Sequence, residues 1–316
     1  MSKERNIIAM LLILVTAILA SCDLIQNDDP GNTGIGKVMV NITDAPFPVK
    51  DVTNVLVKVD KVELRVAGGL CEGTQGETIG KDKDKDKKDK NGKEHDYSNF
   101  ECDSGFVVVF SSETPVEIDL LKLQNGITTM LAKADIPVGS YDMIRLRIVD
   151  ATIVLADASF ILKVPSGSTS GIKIMLDNDL VVEEGDNVAQ VLLDFDLSRS
   201  FIAIGNTNGK KGYKGFIFNP VIRAVNHQQS GTIFGMVYEG ENKAIEGALI
   251  TVLKKDSLVT TTISDSKGAY KVIGLPEGTY NLKAEKEGYT TVNISDFKVT
   301  SKAEIKKDIQ LVQQKK

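Results

Sequence analysis

The first informative feature of this chain is alternation. Val38, Val40 and Ile42 alternate with Met39 and Asn41, the period-two signature of a strand with one buried face. Asp44-Ala45-Pro46 breaks the pattern, with Asp44 suited to cap the turn through its own backbone. The next run changes parity: Val55, Val57 and Val59 share one face, and Val62, Leu64 and Val66 continue on shifted positions. A strand cannot move its apolar set to the other face without an extra residue. The shift therefore predicts a β-bulge near Asp60-Lys61, or a break into two strands. The uninterrupted apolar run from Phe106 to Phe110 suits a strand covered on both sides. From Tyr141 to Val149, Ile144, Leu146 and Ile148 point inward, with Met143, Arg145 and Arg147 opposite. Residues 153–155, 160–164, 172–176, 188–195 and 216–222 supply further strands, enough for a sandwich of two packed sheets. Ile127, Met130, Leu131 and Ala134 have the spacing of a short helix, while Gly126, Thr128 and Thr129 suit a strand; the pattern leaves both open.

A second stretch, residues 230–312, has a quicker rhythm. Lys267-Gly268 permits a tight hairpin with Gly in the left-handed region, and Pro276 with Gly278 builds the next turn. Tyr270 and Val272 alternate with Ala269 and Lys271, and Tyr280, Leu282 and Ala284 form the inward face of the paired strand. About seven short strands over such a length predict a small closed sandwich. The expected fold class is all-β, two consecutive β-sandwich domains over residues 37–225 and 230–312.

The N-terminus follows other rules. A charged start with Lys3 and Arg5 precedes the apolar run from Ile7 to Ala20, which is shorter than the roughly 18 residues a spanning helix needs. Small residues then lead to Cys22, giving the three parts of a secretory signal. Leu19-Ala20-Ser21-Cys22 resembles the lipobox of bacterial lipoproteins. That resemblance implies removal of residues 1–21, diacylglycerol on the Cys22 sulfur and an acylated new N-terminus. One acyl chain binds membranes marginally, whereas several anchor stably. Residues 22–36 are polar and rich in Asn, Asp and Gly, and read as a flexible lipidated tether. Asp28-Asp29 resembles the surface-export signals of lipoproteins in some Gram-negative lineages. The expected location is the cell envelope, at the outer membrane and its surface, with the membrane as a partner through the N-terminal lipid.

The 316 residues carry a net charge of −5, and removing residues 1–21 takes away Lys3, Arg5 and Glu4 to leave −6. A mildly acidic chain has no electrostatic footprint for nucleic acid. Between Gly68 and Gly105 lies an insertion, about residues 72–101, whose centre at residues 81–96 holds seven Lys and six Asp or Glu in near alternation. Such a segment buries too little apolar surface to offset ordering entropy and is expected to be disordered. Asp82, Asp84 and Asp86 have the spacing of calcium ligands. Setting Gly92 at the sixth loop position, however, places Lys87 at the first, and interleaved Lys repels a cation. Cys71 and Cys102 flank the insertion. With Cys22 consumed by lipid, an oxidising compartment leaves these two a single intramolecular partner each, and a disulfide stapling the base of the loop is expected, contributing about 3–4 kcal/mol.

Several stretches of the first region form a familiar series. They are Val40-Asn41-Ile42-Thr43-Asp44-Ala45-Pro46, Ile118-Asp119-Leu120-Leu121, Ile136-Pro137-Val138-Gly139-Ser140-Tyr141, Leu193-Asp194-Phe195-Asp196 and Asn219-Pro220-Val221-Ile222. In this order they resemble the envelope lipoprotein family known as domain of unknown function 4382. The resemblance implies an envelope location and β architecture and supplies no activity. In the second region, Gly231-Thr232-Ile233-Phe234-Gly235, Ser264-Asp265-Ser266-Lys267-Gly268, Gly274-Leu275-Pro276-Glu277-Gly278-Thr279-Tyr280 and Glu287-Gly288-Tyr289 resemble the carboxypeptidase regulatory-like domain, a transthyretin-type sandwich. That family module is non-catalytic. Related surface domains carry Lys–Asn crosslinks, but residues 232–238 offer no Lys for one.

Catalytic signatures are sparse. His95 and His227 are the two histidines, and neither has a second ligand or a nucleophile motif near it in sequence. No cofactor, metal or enzymatic activity is expected. Asp194 and Asp196 stand two apart and so share one face of a strand. Paired carboxylates there could bind a cation or act as acid and base; the favoured expectation is a structural one, in which they sit on a wet face or receive Arg199 or Arg223. The expected role is a non-catalytic binding or structural module with an envelope protein as partner. The alternative is a carbohydrate-binding accessory protein. Sugar sites favour aromatic platforms, and with Trp absent the candidates are Tyr141, Tyr213 and Phe216.

Overall fold

The computed structural model describes residues 34–45, 52–68, 102–103, 105–164, 170–205 and 213–314. Cys22, Cys71, His95 and the charged centre of the insertion lie outside the described residues, and of Cys102 the backbone alone is described. The expected lipidation, disulfide and disorder of the insertion therefore fall outside the described residues too. Among the described residues, no helix is long and apolar enough to cross a membrane.

The protein is all-β, with two consecutive sandwiches inside one compact unit that runs from Thr33 to Lys316. The first contains β1 (Ile35–Ala45), β2 (Val52–Val66), β3 (Cys102–Asp103), β4 (Phe106–Asp119), β5 (Thr129–Pro137), β6 (Gly139–Leu155), β7 (Ser159–Leu162), β8 (Ile172–Val182), β9 (Val188–Asp196), β10 (Phe201–Gly205), β11 (Tyr213–Phe218) and β12 (Ile222–Asn226). One helical turn, α1 (Leu197–Ser200), follows β9. The second sandwich contains β13 (Ser230–Glu239), β14 (Lys243–Ala244), β15 (Leu249–Lys254), β16 (Ser257–Ile263), β17 (Ala269–Pro276), β18 (Gly278–Glu285), β19 (Val292–Val299), β20 (Glu304–Lys306) and β21 (Ile309–Gln310).

The first sandwich departs from the expectation of two separate sheets. Ten strands form one continuous sheet, ordered β3-β4-β2-β6-β8-β12-β9-β1-β5 with β7 added to β6. The β8–β12 joint rests on a single residue pair, Leu176 with Ala224. The sheet folds over there, so that Val40 and Ile42 of β1 share one core with Val57 and Leu64 of β2 and with Ile144 and Leu146 of β6. The parity change in β2 is a bulge, with the register against β4 and β6 slipping between Val59 and Lys61. The extra residue keeps Val62 and Leu64 inside. It also leaves Asp60, Lys61 and Glu63 on the outer face, where Arg147 reaches Asp60 at 2.6 Å and Arg145 and Lys61 converge on Glu63 at 2.5 Å and 2.9 Å. Residues 153–155 are not a separate strand. They continue β6 past a second slip, opposite Lys58 and Val59. The ambiguous stretch at residues 127–134 resolves as β5, because Met130 to Pro137 pair with β1. That pairing begins at Ile35, so Ile35 and Gly36, expected to fall outside the first domain, are already in the sheet. A Cβ at Gly36 would meet the Glu183 carbonyl at 2.2 Å, so the close approach requires glycine.

The second sandwich pairs β14-β13-β17, with β20 and β21 added to β13, against β16-β15-β18-β19. Its core holds Ile233, Val252, Tyr270, Leu275, Tyr280 and Leu282. Both sandwiches use one device at a turn between consecutive strands that do not pair with each other. In Pro137-Val138-Gly139-Ser140-Tyr141 and in Pro276-Glu277-Gly278-Thr279-Tyr280, the tyrosine is buried and donates its hydroxyl to the carbonyl of the proline four residues back, at 2.8 Å and 2.6 Å. The ring fills the core, and the hydrogen bond satisfies the hydroxyl that burial would otherwise strand.

Candidate functional site

The polar residues that matter most lie where the two sandwiches meet. In β9, Val191, Leu193 and Phe195 face the first core, and Leu192, Asp194 and Asp196 are buried as well. Such two-sided burial needs a cover on the outer face, and the second sandwich supplies part of it. The Leu192 side chain lies where a Cβ on Gly274 of β17 would fall, 2.6 Å away. Gly274 has φ +69, a left-handed conformation that costs glycine little.

Asp194 is the centre of this seam. Arg223 of β12, the strand paired beside it, donates from Nη2 to Asp194 Oδ2 at 2.7 Å. Thr260 of β16 donates its hydroxyl to the same oxygen at 3.1 Å. Arg223 Nη1 donates across the boundary to the Gly274 carbonyl at 2.6 Å. A second clamp lies beyond β4, in the loop before β5. Asn125, at φ 59, donates Nδ2 to the Ala269 carbonyl at 3.3 Å and accepts the Lys271 N–H on Oδ1 at 2.5 Å. Its amide thus behaves as a fragment of strand against the outer edge of β17, whose other edge is taken by β13. Thr43 braces that loop, donating to the carbonyls of Leu123 at 3.0 Å and Ile127 at 2.8 Å.

Asp196 has a local role. It caps α1, accepting from the Ser198 hydroxyl at 2.5 Å, the Arg199 N–H at 3.1 Å and Arg199 Nε at 2.6 Å. Both carboxylates are therefore buried; the expected pairing with Arg223 and Arg199 is present, and the wet face is not. Asp44 is different. It is buried at the end of β1, aligned with Phe195 of β9, and neither carboxylate oxygen has a hydrogen-bond partner. Burial, followed by the charges of Asp194 and Asp196, pushes its carboxyl well above the usual range, while the Leu197 N–H and the Gln124 amide pull more weakly the other way. The turn that Asp44 is expected to cap runs into residues 46–51, outside the described residues. Among the described residues, no three acidic, histidine or cysteine side chains converge to hold a metal ion.

The matches to known proteins follow this division. Residues 35–220 match the family described as "Domain of unknown function (DUF4382)". The chain belongs to that family. Residues 232–312 of this DUF4382 protein match the carboxypeptidase regulatory-like domain. No curated relative matches the chain. Solved structures with overlap include a type II cohesin–X-dockerin complex from Acetivibrio cellulolyticus, at 19% identity and TM-score 0.23, covering 26% of this chain and 58% of that one. The Bacillus anthracis TIE protein overlaps at 15% identity and TM-score 0.25, over 89% of this chain and 34% of that one. The shaft pilin SpaA from Lactobacillus rhamnosus GG overlaps at 11% identity and TM-score 0.26, over 89% of this chain and 99% of that one. This chain thus spans less than two thirds of the first two, and superposition this loose carries no argument about what it does.

The aromatic candidates separate in this DUF4382 protein. Tyr141 is fully buried with its hydroxyl bonded to Pro137, so it presents no face to a sugar. Phe216 is buried too. Tyr213 is half-buried on the β10–β11 ribbon, stacked on Phe216 with ring centroids 5.2 Å apart. Sequence reasoning missed Asn125, Thr260 and Gly274. Their signal is weak, an Asn-Gly pair, a Thr run and a strand glycine, each of which is ordinary in a β protein.

Proposed function

We propose that this protein is a lipid-anchored, non-catalytic module of the cell envelope, in which two joined sandwiches act as one rigid spacer presenting loops to an envelope protein partner. The observation that carries this reading is the seam, where one arginine bridges Asp194 in the first sandwich and Gly274 in the second. Domains in one chain move relative to each other unless their interface is well tied, and a buried, bridged ion pair is such a tie. Stiffness is useful to a spacer. Burying Asp194 and Asp196 against arginines also removes the paired carboxylates from any role as a solvent-facing acid and base.

Anchoring rests on Leu19-Ala20-Ser21-Cys22, with the outer membrane as the intended site. The alternative reading, a carbohydrate-binding accessory protein, retains Tyr213 as its aromatic candidate after the burial of Tyr141. Labelling of cells with radioactive palmitate tests the anchor: label is expected on the wild-type protein and absent from Cys22→Ser. Equal labelling of both, or of neither, contradicts it. A glycan array on the full chain tests the alternative, which requires binding that Tyr213→Ala abolishes while folding is kept.

A further inference from the structure

We propose that Asp44 is a proton-gated latch at the end of β1, closed while its carboxyl is neutral and opened when it ionises. This goes beyond the spacer reading and does not depend on it. The geometry is specific. Alternation along β1 puts Asp44 in step with Val40 and Ile42, both fully buried, and the parallel register sets it beside Phe195. A carboxylate there is buried, and neither of its oxygens meets a donor in good hydrogen-bond geometry.

The surrounding charges offer no compensation. Asp194 and Asp196 on β9 are both acidic and disfavour a third negative charge. The nearby cations are committed elsewhere, Arg223 of β12 to Asp194 and Arg199 of α1 to Asp196. From the Leu120–Leu123 turn side, the loop residue Gln124 offers an amide, and α1 offers the Leu197 N–H. Both point toward Asp44 without reaching good hydrogen-bond geometry, and their pull is weaker than the burial and the two acidic neighbours. A neutral carboxyl is tolerated in such a place far better than an anion.

The consequence reaches the seam. Thr43, next to Asp44, braces the Asn125 loop, and in the register Thr43 stands beside Asp194. When Asp44 ionises, the low-cost escape for its charge is outward movement of the β1 end, which loosens Thr43 and with it the clamp on β17. The sign comes from proton linkage. The folded chain keeps a proton that the unfolded chain releases above the ordinary value of 3.8. Stability is therefore greatest below that pH and falls as pH rises toward the folded value, by up to about tenfold in the folded-to-unfolded ratio per pH unit.

The test compares the full chain in detergent with Asp44→Asn, which keeps the shape and removes the charge. Amide exchange at Thr43, Ala45 and Lys271, taken as the ratio of wild type to variant, should rise with pH. Infrared spectra of wild type labelled with carbon-13 aspartate, taken over a pH series, should hold a neutral carboxylic-acid band above the ordinary carboxylate value of 3.8 that Asp44→Asn lacks. If the variant fails to fold, the band in wild type and its loss on raising the pH decide alone. A flat exchange ratio, or a carboxylic-acid band that disappears at the ordinary carboxylate value, overturns the proposal.

Discussion

Arg223 and Asp194 sit on neighbouring antiparallel strands, in register, with Nη2 and Oδ2 2.7 Å apart and both side chains largely withdrawn from water. Cross-strand ion pairs usually lie on a wet face and contribute little. This one is covered by β16 and β17 of the second sandwich, and the arginine's remaining amine reaches a carbonyl there. Covering the pair makes its loss expensive, because removing one partner leaves the other charge buried. The pair also sets the angle of approach, since a planar guanidinium donates along fixed directions. Its Nε finds no partner, which indicates how far the geometry has been given over to Asp194 and Gly274.

Asn125 is expected to act as an edge clamp. Asn125→Gly keeps the left-handed backbone but deletes both bonds to β17, at a cost of about 1–3 kcal/mol. Hydrogen exchange should show the Lys271 amide losing protection while core amides such as Val252 keep theirs. Unchanged protection at Lys271 would mean that the clamp contributes nothing.

The paired tyrosines allow a matched comparison. Tyr141→Phe and Tyr280→Phe each delete one hydroxyl and its bond to a proline carbonyl and leave the ring in place. Each should lower stability by about 1 kcal/mol. Tyr141→Ala, which empties a fully buried site, should cost about 3–5 kcal/mol. Denaturant midpoints read all three. A Tyr141→Ala protein as stable as wild type would contradict the buried placement.

His227 begins the short turn (His227–Gln229) that links the sandwiches, and burial holds its imidazole below the ordinary value of 6.5. The folded chain therefore binds this proton less readily than the unfolded chain. The stability contributed is fully present above 6.5 and is lost as pH falls below it toward the folded value. Urea midpoints on either side of that pH should show the loss in wild type and a flatter profile in His227→Gln. Equal slopes would remove His227 as a source of acid sensitivity. This trend is opposite in sign to that of Asp44, so single variants separate the two.

Alternation was a sound guide wherever one face of a strand met a core. It located the Asp60-Lys61 bulge, because a parity change has one cheap structural solution, and it placed Tyr280, Leu282 and Ala284 inside. It failed at β9. Residues 191–196 are buried on both faces, so Asp194 reads as a solvent-facing residue unless the second sandwich is known to cover it. The continuous sheet of the first domain was equally hidden, since its fold-over joint depends on the pairing of Leu176 with Ala224 across nearly fifty residues of chain. Asn125 illustrates the limit well, because its partners are backbone groups of β17, and backbone positions leave no mark on side-chain pattern.

The central claim is that the two sandwiches form one mechanical body, and differential scanning calorimetry of the full chain in detergent tests it most directly. Wild type should melt in one transition that contains both sandwiches. Arg223→Ala, leaving Asp194 buried without its cation, should cost about 3–5 kcal/mol and split that transition into two. Two resolved transitions in wild type, or an Arg223→Ala profile that superimposes on it, would contradict the account.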